Sequence, residues 1–454
     1  MSVTSWLRRN VVYPLWVAKD RSPRLAYLRE LEASQYYPLP RLKELQFAKL
    51  QAMLAHAYSD VPHYRQLFDR LGLKPADIRD ERDLRRLPVL GKDEVRRNQK
   101  DFLARSLKDG PLSVFKTGGS TGVPVEILKD PHTVELVNAT GVRVFRWAGW
   151  DLGEPVGMIW GNPPASLSVK EKLRDLLISP EVYLDTMNLT EESMFEFVAK
   201  WKRARPTLLR GHSHSIYILA SFCLKHGVDT VRPNAIISSS MMLLPSERRV
   251  IEKAFACKVT DLYGCEEVGL IATECEKHDG MHIDMENNYI ELLDQQGNPA
   301  APGVDGAVVV TSLLNRSMPL IRYKMGDVAS MPERVCSCGR TLPLMNNISG
   351  RVADFLVRRD GSVVAGVSLV ERTLTKFPGV AQMQIVQEDL DHIVLKVVQD
   401  TNWSEATGNA LVDEFKASVG DHNQVEIEFV AAIPQERSGK FRFAISRVAN
   451  PFGA

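Results

Sequence analysis

An α/β fold is what this sequence predicts: a large N-terminal domain with mixed, largely parallel sheets covered by helices, a β-rich subdomain inside it, and a small α+β C-terminal domain. Three observations carry that reading. From Ser113 onward, short apolar runs between glycines alternate with helical stretches, the pattern of a covered parallel sheet. Before it, a Leu-, Arg-, Lys- and Glu-rich segment repeats its apolar residues at helical spacing. The chain also has 454 residues, 44% hydrophobic and 25% charged, which excludes disorder as the dominant state and leaves room for more than one domain.

The elements follow in order. The N-terminus, Trp6-Leu7-Arg8-Arg9 and then Val11-Val12-Tyr13-Pro14-Leu15-Trp16, has a leader-like start. Asn10, Pro14 and Lys19 interrupt its apolar core, so the segment is expected to dock on the body, with a peripheral membrane or partner contact as the alternative. A helical layer is expected within residues 1–110. Leu42, Leu45, Leu50 and Leu54 form one stripe and Leu67, Leu71 and Leu73 another, with breaks at Pro38-Leu39-Pro40 and at Pro62. Strands are expected at Val156–Trp160, Thr207–Arg210, Ala235–Ile237 and Lys258–Tyr263, with helices over 192–203 and 246–255. Strands then dominate 284–350, at Tyr289–Asp294 and Gly306–Ser312. The last unit, 353–454, restarts with strands at Asp354–Arg358, Ala381–Gln387 and His392–Val398 and a helix over 405–419. A large domain over 1–352 and a small one over 353–454 is the resulting division.

Charge and cysteine usage narrow the function. Lys and Arg number 57 against 56 acidic residues, a net of +1, which is not the basic footprint of a nucleic-acid-binding protein. Six cysteines are too sparse for a disulfide framework and point to a reducing, cytoplasmic setting with metal ligation. No run approaches a membrane span.

The most informative stretch is Lys116-Thr-Gly-Gly-Ser-Thr-Gly-Val-Pro-Val125. Three glycines free backbone N–H groups to turn toward an anion, and the hydroxyls add donors. It has neither the Walker A nor the dinucleotide spacing. Downstream come Tyr263-Gly-Cys-Glu-Glu267, Ile321-Arg-Tyr-Lys-Met-Gly-Asp327, Gly350-Arg351 and Arg437-Ser-Gly-Lys440. The order and spacing of these five segments resemble the acyl-adenylate-forming superfamily, and most nearly its phenylacetate–CoA ligase branch with the capsule-polysaccharide-associated members. The likeness runs over nearly the whole chain.

The resemblance implies an ATP-dependent ligase in which a small aryl or fatty carboxylic acid attacks the α-phosphate of ATP and is passed on from acyl-AMP, with coenzyme A as acceptor or an amine or hydroxyl instead. A member that binds nucleotide without turnover is a further reading. Both reactants are anionic, so catalysis is positioning and charge neutralisation. On this likeness Thr117, Gly118, Gly119, Ser120, Thr121 and Gly122 wrap the outer phosphates. Ser240, Tyr263 and Gly264 lie at the nucleotide, Tyr263 near the adenine. Glu267, preferred to Glu266, holds Mg²⁺; Asp327 accepts from the ribose hydroxyls; Arg351 contacts the ribose–phosphate side. Lys440 arrives from a mobile C-terminal domain that hinges near Ala353-Asp354 and neutralises charge at the α-phosphate. The chain departs from the branch at Met241, where an acidic residue is frequent, and at Ala353, where a hinge Asp or Lys is common. A homodimer is left open.

A metal site is expected from the residues themselves. Cys275-Glu-Lys-His278 supplies a C-x-x-H pair and Cys336-Ser-Cys338 a C-x-C knuckle, a soft four-ligand set suited to structural Zn²⁺, with His282 as the rival to His278. Acyl-pocket walls are expected at Trp160–Pro164, at Gly211–His214 with Ile216 and Tyr217, and at Ser238–Met242. Two loop histidines, His212 and His214, are candidates to orient a polar substrate group.

Overall fold

The computed structural model describes residues 2–116, 125–161, 177–178, 180–186, 188–351, 355–377, 379–434 and 441–448. The N-terminal segment folds as the helices Val3–Leu7 and Tyr13–Lys19 with a wider turn, Arg8–Val12, between them. Tyr13 and Val17 pack into a cluster with Leu28, Trp150 and Leu208, while Val3, Trp6, Leu7, Val11 and Leu15 stay exposed. Docking therefore uses one face only. Among the described residues no helix is long and apolar enough to cross a membrane.

The helical layer is where periodicity placed it: Arg24–Ser34, Leu39–Asp60 and Pro62–Leu71. Proline in the first turn costs no hydrogen bond, because those N–H groups have no partner inside a helix, so Pro40 and Pro62 start helices and break none within. Leu42, Leu50, Leu54 and Leu67 are buried, but Leu45 and Leu71 turn outward.

Strands β1 (Ser113–Lys116) and β2 (Glu126–Lys129) pair antiparallel across residues 117–124, which lie outside the described residues. The helix Pro131–Trp147 follows, its first turn closed by the Asp130 carboxylate accepting from Thr133 N at 2.9 Å. The central sheet is then built from β3 (Val156–Trp160), β4 (Glu181–Asp185), β5 (Leu208–His212), β6 (Ala235–Ser239) and β7 (Val259–Cys265), all parallel. Antiparallel β8 (Gly269–Glu274) and β9 (Met281–Ile283) extend it. A second, antiparallel sheet begins with β10 (Asn288–Leu293), β11 (Gly306–Ser312) and β12 (Tyr323–Ala329). The chain returns to the first sheet with β13 (Leu344–Met345), beside β9, and to the second with β14 (Gly350–Arg351), beside β12. The central order is β13-β9-β8-β7-β6-β5-β3-β4.

Alternation sorts the side chains of the central strands onto two covered faces. Ile159, Leu209, Ile236 and Val259 pack under the helices Glu191–Ala204, Ser213–Lys225 and Pro245–Phe255. Met158, Leu208, Ala235 and Ile237 face Pro131–Trp147 and the N-terminal segment. Gly157 shows how closely the first layer sits: a Cβ there would lie 2.2 Å from the Trp201 ring.

At the junction of the helical layer, the central sheet and the second sheet, buried Arg143 donates to Glu286 and to Asp284, each at 2.7 Å, and to Leu31 O at 3.1 Å. Removing one member of such a cluster leaves unpaired buried charge. Arg143→Met is expected to destabilise the fold by about 3–5 kcal/mol in urea unfolding; a change near zero would show the cluster to be energetically neutral.

Beyond residue 354, β15 (Phe355–Val357) and β16 (Val363–Ala365) form a hairpin. A last sheet orders β17 (Val380–Gln387), β18 (His392–Gln399), β19 (Gln424–Phe429) and β20 (Ala444–Ser446) as β19-β18-β17-β20, with the helices Gly366–Lys376 and Glu405–Val419. Leu244 and Met242, from the link after β6, pack into this unit's core, so it rests against the large sheet.

Candidate active site and metal centre

Parallel strands leave a crevice outside their carboxyl ends, and among the described residues the segments at 263–267, 321–327 and 350–351 come together there. β6 ends in Ser239, and Ser240 follows it in left-handed backbone (φ 67°), a strained conformation for a non-glycine residue. β7 carries Tyr263 and Gly264. A Cβ on Gly264 would sit 2.6 Å from Gly269 O, so glycine lets β7 and β8 close tightly and presents Glu267 at the turn. The Tyr263 hydroxyl donates to Asp327 Oδ2 at 2.7 Å, joining residues 64 positions apart from two different sheets. Asp327 lies within β12, not at a turn after Gly326, and pairs directly opposite Arg351 on β14. Two of the five segments thus meet at one carboxylate, and a third pairs with the strand that carries it.

Glu267 is buried and accepts from Lys92 Nζ at 3.3 Å and from the Tyr323 hydroxyl at 3.4 Å. A carboxylate already held by two donors keeps lone pairs for a cation, which is the use the resemblance assigns to it. Lys129, buried at the end of β2, lies under the Phe115 ring at 4.3 Å. Burial lowers its pKa, opposed by the charges of Glu266, Cys265 and Glu267. Lys92 and Lys129 escaped notice in the sequence because a lone lysine in a charged segment carries no signal. Tyr323 lies inside the quoted 321–327 segment and could have been found.

The two histidines are not loop residues. His212 closes β5 and is buried against Trp160, with ring centroids 4.3 Å apart. His214 opens the helix Ser213–Lys225, hydrogen-bonds Glu247 through Nδ1, and meets the Phe441 ring edge-on, with centroids 4.1 Å apart. Phe441 anchors the C-terminal unit at the sheet's carboxyl edge. Residues 117–122, Ala353 and Lys440 lie outside the described residues. Met241 sends its carbonyl to the Ser213 hydroxyl at 2.9 Å.

At the far edge of the sheet, Cys275, His282, Cys336 and Cys338 bring their ligand atoms within 4.8 Å of one another. Sγ of Cys275 and Cys336 are 3.6 Å apart, and Cys338 Sγ is 3.2 Å from His282 Nε2. The fourth member is His282, correcting the expectation for His278. The turn after Cys275 puts His278 in left-handed backbone (φ 51°), and its Nδ1 lies 3.2 Å from Glu274. His282 instead sits in β9, where Nδ1 donates to Leu342 O at 3.0 Å and leaves the Nε2 lone pair for a metal. Three thiols and one oriented imidazole suit a closed tetrahedral zinc site.

Residues 356–447 match the family model described as CapK C-terminal domain. The chain is 27% identical over 405 residues to phenylacetate-coenzyme A ligase of Thermus thermophilus, covering 86% of this chain and 88% of the relative. It is 24% identical over 437 residues to protein CapK of Staphylococcus aureus, covering 93% and 94%. Its fold matches a crystal structure of 2-hydroxyisobutyryl-CoA ligase in the postadenylation state with a TM-score of 0.71, at 20% identity and 90% coverage of each chain.

Proposed function

We propose, from this chain's kinship with the phenylacetate–CoA ligase and CapK branch of the acyl-adenylate-forming ligases, that it is an ATP-dependent, AMP-forming acid–thiol ligase acting on an aryl or aliphatic carboxylic acid. The observation that carries the reading is the Tyr263–Asp327 contact at the carboxyl edge, with Glu267 on the adjoining turn. It supplies a ring face for a base, an acceptor for ribose hydroxyls and a buried carboxylate for a cation in one crevice.

In the first half-reaction a substrate carboxylate oxygen attacks the α-phosphorus of ATP, the α–β P–O bond breaks, and pyrophosphate leaves. Thr117 to Gly122 wrap the outer phosphates, Asp327 holds the ribose, Arg351 steadies its phosphate side, and Lys440 neutralises the charge that grows on the α-phosphate. Glu267 would hold Mg²⁺, which screens the phosphate charge when bound. In the second half-reaction the thiol sulfur of coenzyme A attacks the acyl carbon, AMP departs, and the thiol proton passes to solvent. The small C-terminal domain hinges near Ala353 between the two.

Purified protein with Mg·ATP and a panel of aryl and aliphatic acids is expected to release pyrophosphate only when the right acid is present, and to yield AMP and a thioester when coenzyme A is added. No acid-dependent release across the panel, with ATP still bound, would overturn the reading. Asp327→Asn is expected to raise KM for ATP by about 10–100-fold, the worth of a charge-assisted hydrogen bond, and to change KM for the acid little. An equal rise in both would place Asp327 elsewhere in the mechanism.

A further inference from the structure

The chain pairs its buried guanidinium groups, Arg143 and Arg322, with carboxylates, and does the same at half-buried Arg248 and Arg340. Arg143 meets Asp284 and Glu286, Arg322 meets Glu291, Arg248 meets Glu274, and Arg340 meets Glu276. Arg210 on β5 departs from this rule. No carboxylate lies within ion-pair distance of it among the described residues, and its Nε is buried with no hydrogen-bond partner. β5 is an interior strand, so the partial exposure that Arg210 keeps belongs to the far end of the guanidinium.

Its surroundings are those of a pocket wall. The guanidinium carbon lies 5.1 Å from the Phe145 ring centroid and 5.5 Å from that of Trp160. Phe145, on the helix Pro131–Trp147, packs with the cluster on the sheet face that carries Met158 and Ile237, and Trp160 ends β3 beside β5. His212, two residues on and therefore on the same face, packs against Trp160 at the carboxyl edge with its ring tilted by 51°. Burial lowers the Arg210 pKa, and the distant charges of Glu181 and Glu266 only partly oppose it. Ring contacts of this kind return less than an unpaired, largely desolvated ion costs. The balance calls for an anion that the described residues do not provide.

We propose that Arg210 binds a second carboxylate on the acid substrate, so that the preferred substrate is a dicarboxylic acid activated at one end. This rests on the ligase reading above and names the substrate class of that site. A guanidinium takes a carboxylate in a two-pronged, planar pairing, and Phe145 and Trp160 form apolar walls for the spacer. Arg210 lies two strand residues below the edge where His212 sits, a depth of about 7 Å. A para-phenylene ring or a four-methylene chain has about that reach.

The test pairs each diacid with its methyl-ended counterpart: terephthalate with p-toluate, and adipate with hexanoate. Wild-type kcat/KM for pyrophosphate release is expected to favour a diacid over its partner by at least about 10-fold. Arg210→Met should reverse that preference and Arg210→Lys should keep part of it, with thermal melting confirming that both variants fold. Calorimetric titration of diacid into wild type and Arg210→Met, with a non-hydrolysable ATP analogue present, reads the same contact without turnover; binding is expected only to the wild type. Equal use of both members of every pair, an equal loss of both in Arg210→Met, or diacid binding that ignores the substitution would overturn the proposal. Turnover of the neutral acids in that event leaves the ligase reading standing, whereas silence with every acid would remove that as well.

Discussion

Replacing Lys440 with alanine is expected to lower acid-dependent pyrophosphate release by about 10²–10³-fold, the usual effect of removing one preorganised electrostatic donor from a charge-developing transition state. The physical case comes from two sides. Attack of a carboxylate on a phosphate ester gathers negative charge on an already anionic centre, and an ammonium group there acts on the transition state more than on either reactant. The adjacent residue, Phe441, packs on His214 at the carboxyl edge of the central sheet, and Glu247 hydrogen-bonds that histidine. This ring contact holds Phe441, the residue after Lys440 in sequence, at that edge. On the proposed reading the outer phosphates belong to the 117–122 loop, so KM for ATP should change little. Thioester formation from pre-made acyl-AMP and coenzyme A should be nearly unaffected, since the attacked centre is then the acyl carbon and, on the proposed reading, the C-terminal domain has by that stage hinged away from the phosphate. If both half-reactions fall equally, Lys440 acts through folding or domain docking; if neither falls, it is a surface lysine.

The second large effect is expected at the cysteine cluster. Metal analysis of the purified chain should find one zinc per molecule. Cys336→Ser and His282→Ala should lose it and melt at markedly lower temperature, because structural zinc sites contribute about 10–16 kcal/mol of apparent binding free energy to the folded state. His278→Ala should keep its zinc, since that ring faces Glu274. Zinc lost from the His278 variant and kept by the His282 variant would reverse the assignment, and a zinc-free wild type of unchanged stability would remove it. The cluster links the ends of β8 and β9 to the 336–338 loop before β13. Its loss should loosen that edge of the central sheet before the crevice at β5–β7.

Most of the architecture was legible along the chain because it depends on local pattern. The apolar spacing of Leu42, Leu50 and Leu54, prolines that can only open helices, and short apolar runs bounded by glycine each act within a turn or a strand. The sequence missed what depends on orientation. Leu45 and Leu71 fit their stripes yet face solvent, since helix rotation is set by packing against the second layer. His212 and His214 read as a loop pair, although one closes a strand and the other opens a helix.

The functional segments divide the same way. Ordered motifs from residue 116 to residue 440 were enough to indicate an adenylating ligase, because that signal lies in residue identity and order. Their meeting was decided elsewhere. The parallel register of β6 and β7 and the return of β12 and β14 bring Ser240, Tyr263, Asp327 and Arg351 to one edge. Four residues separate His278 from His282 in sequence, and only the pleat of β9 against β13 chooses between them. Arg210 has no sequence signal at all, because an arginine declares itself unpaired only once every neighbouring strand and helix is in place. Local chemistry therefore determined which residues could act, and long-range strand register decided which of them meet, since each pairing is set by contacts tens to hundreds of residues away.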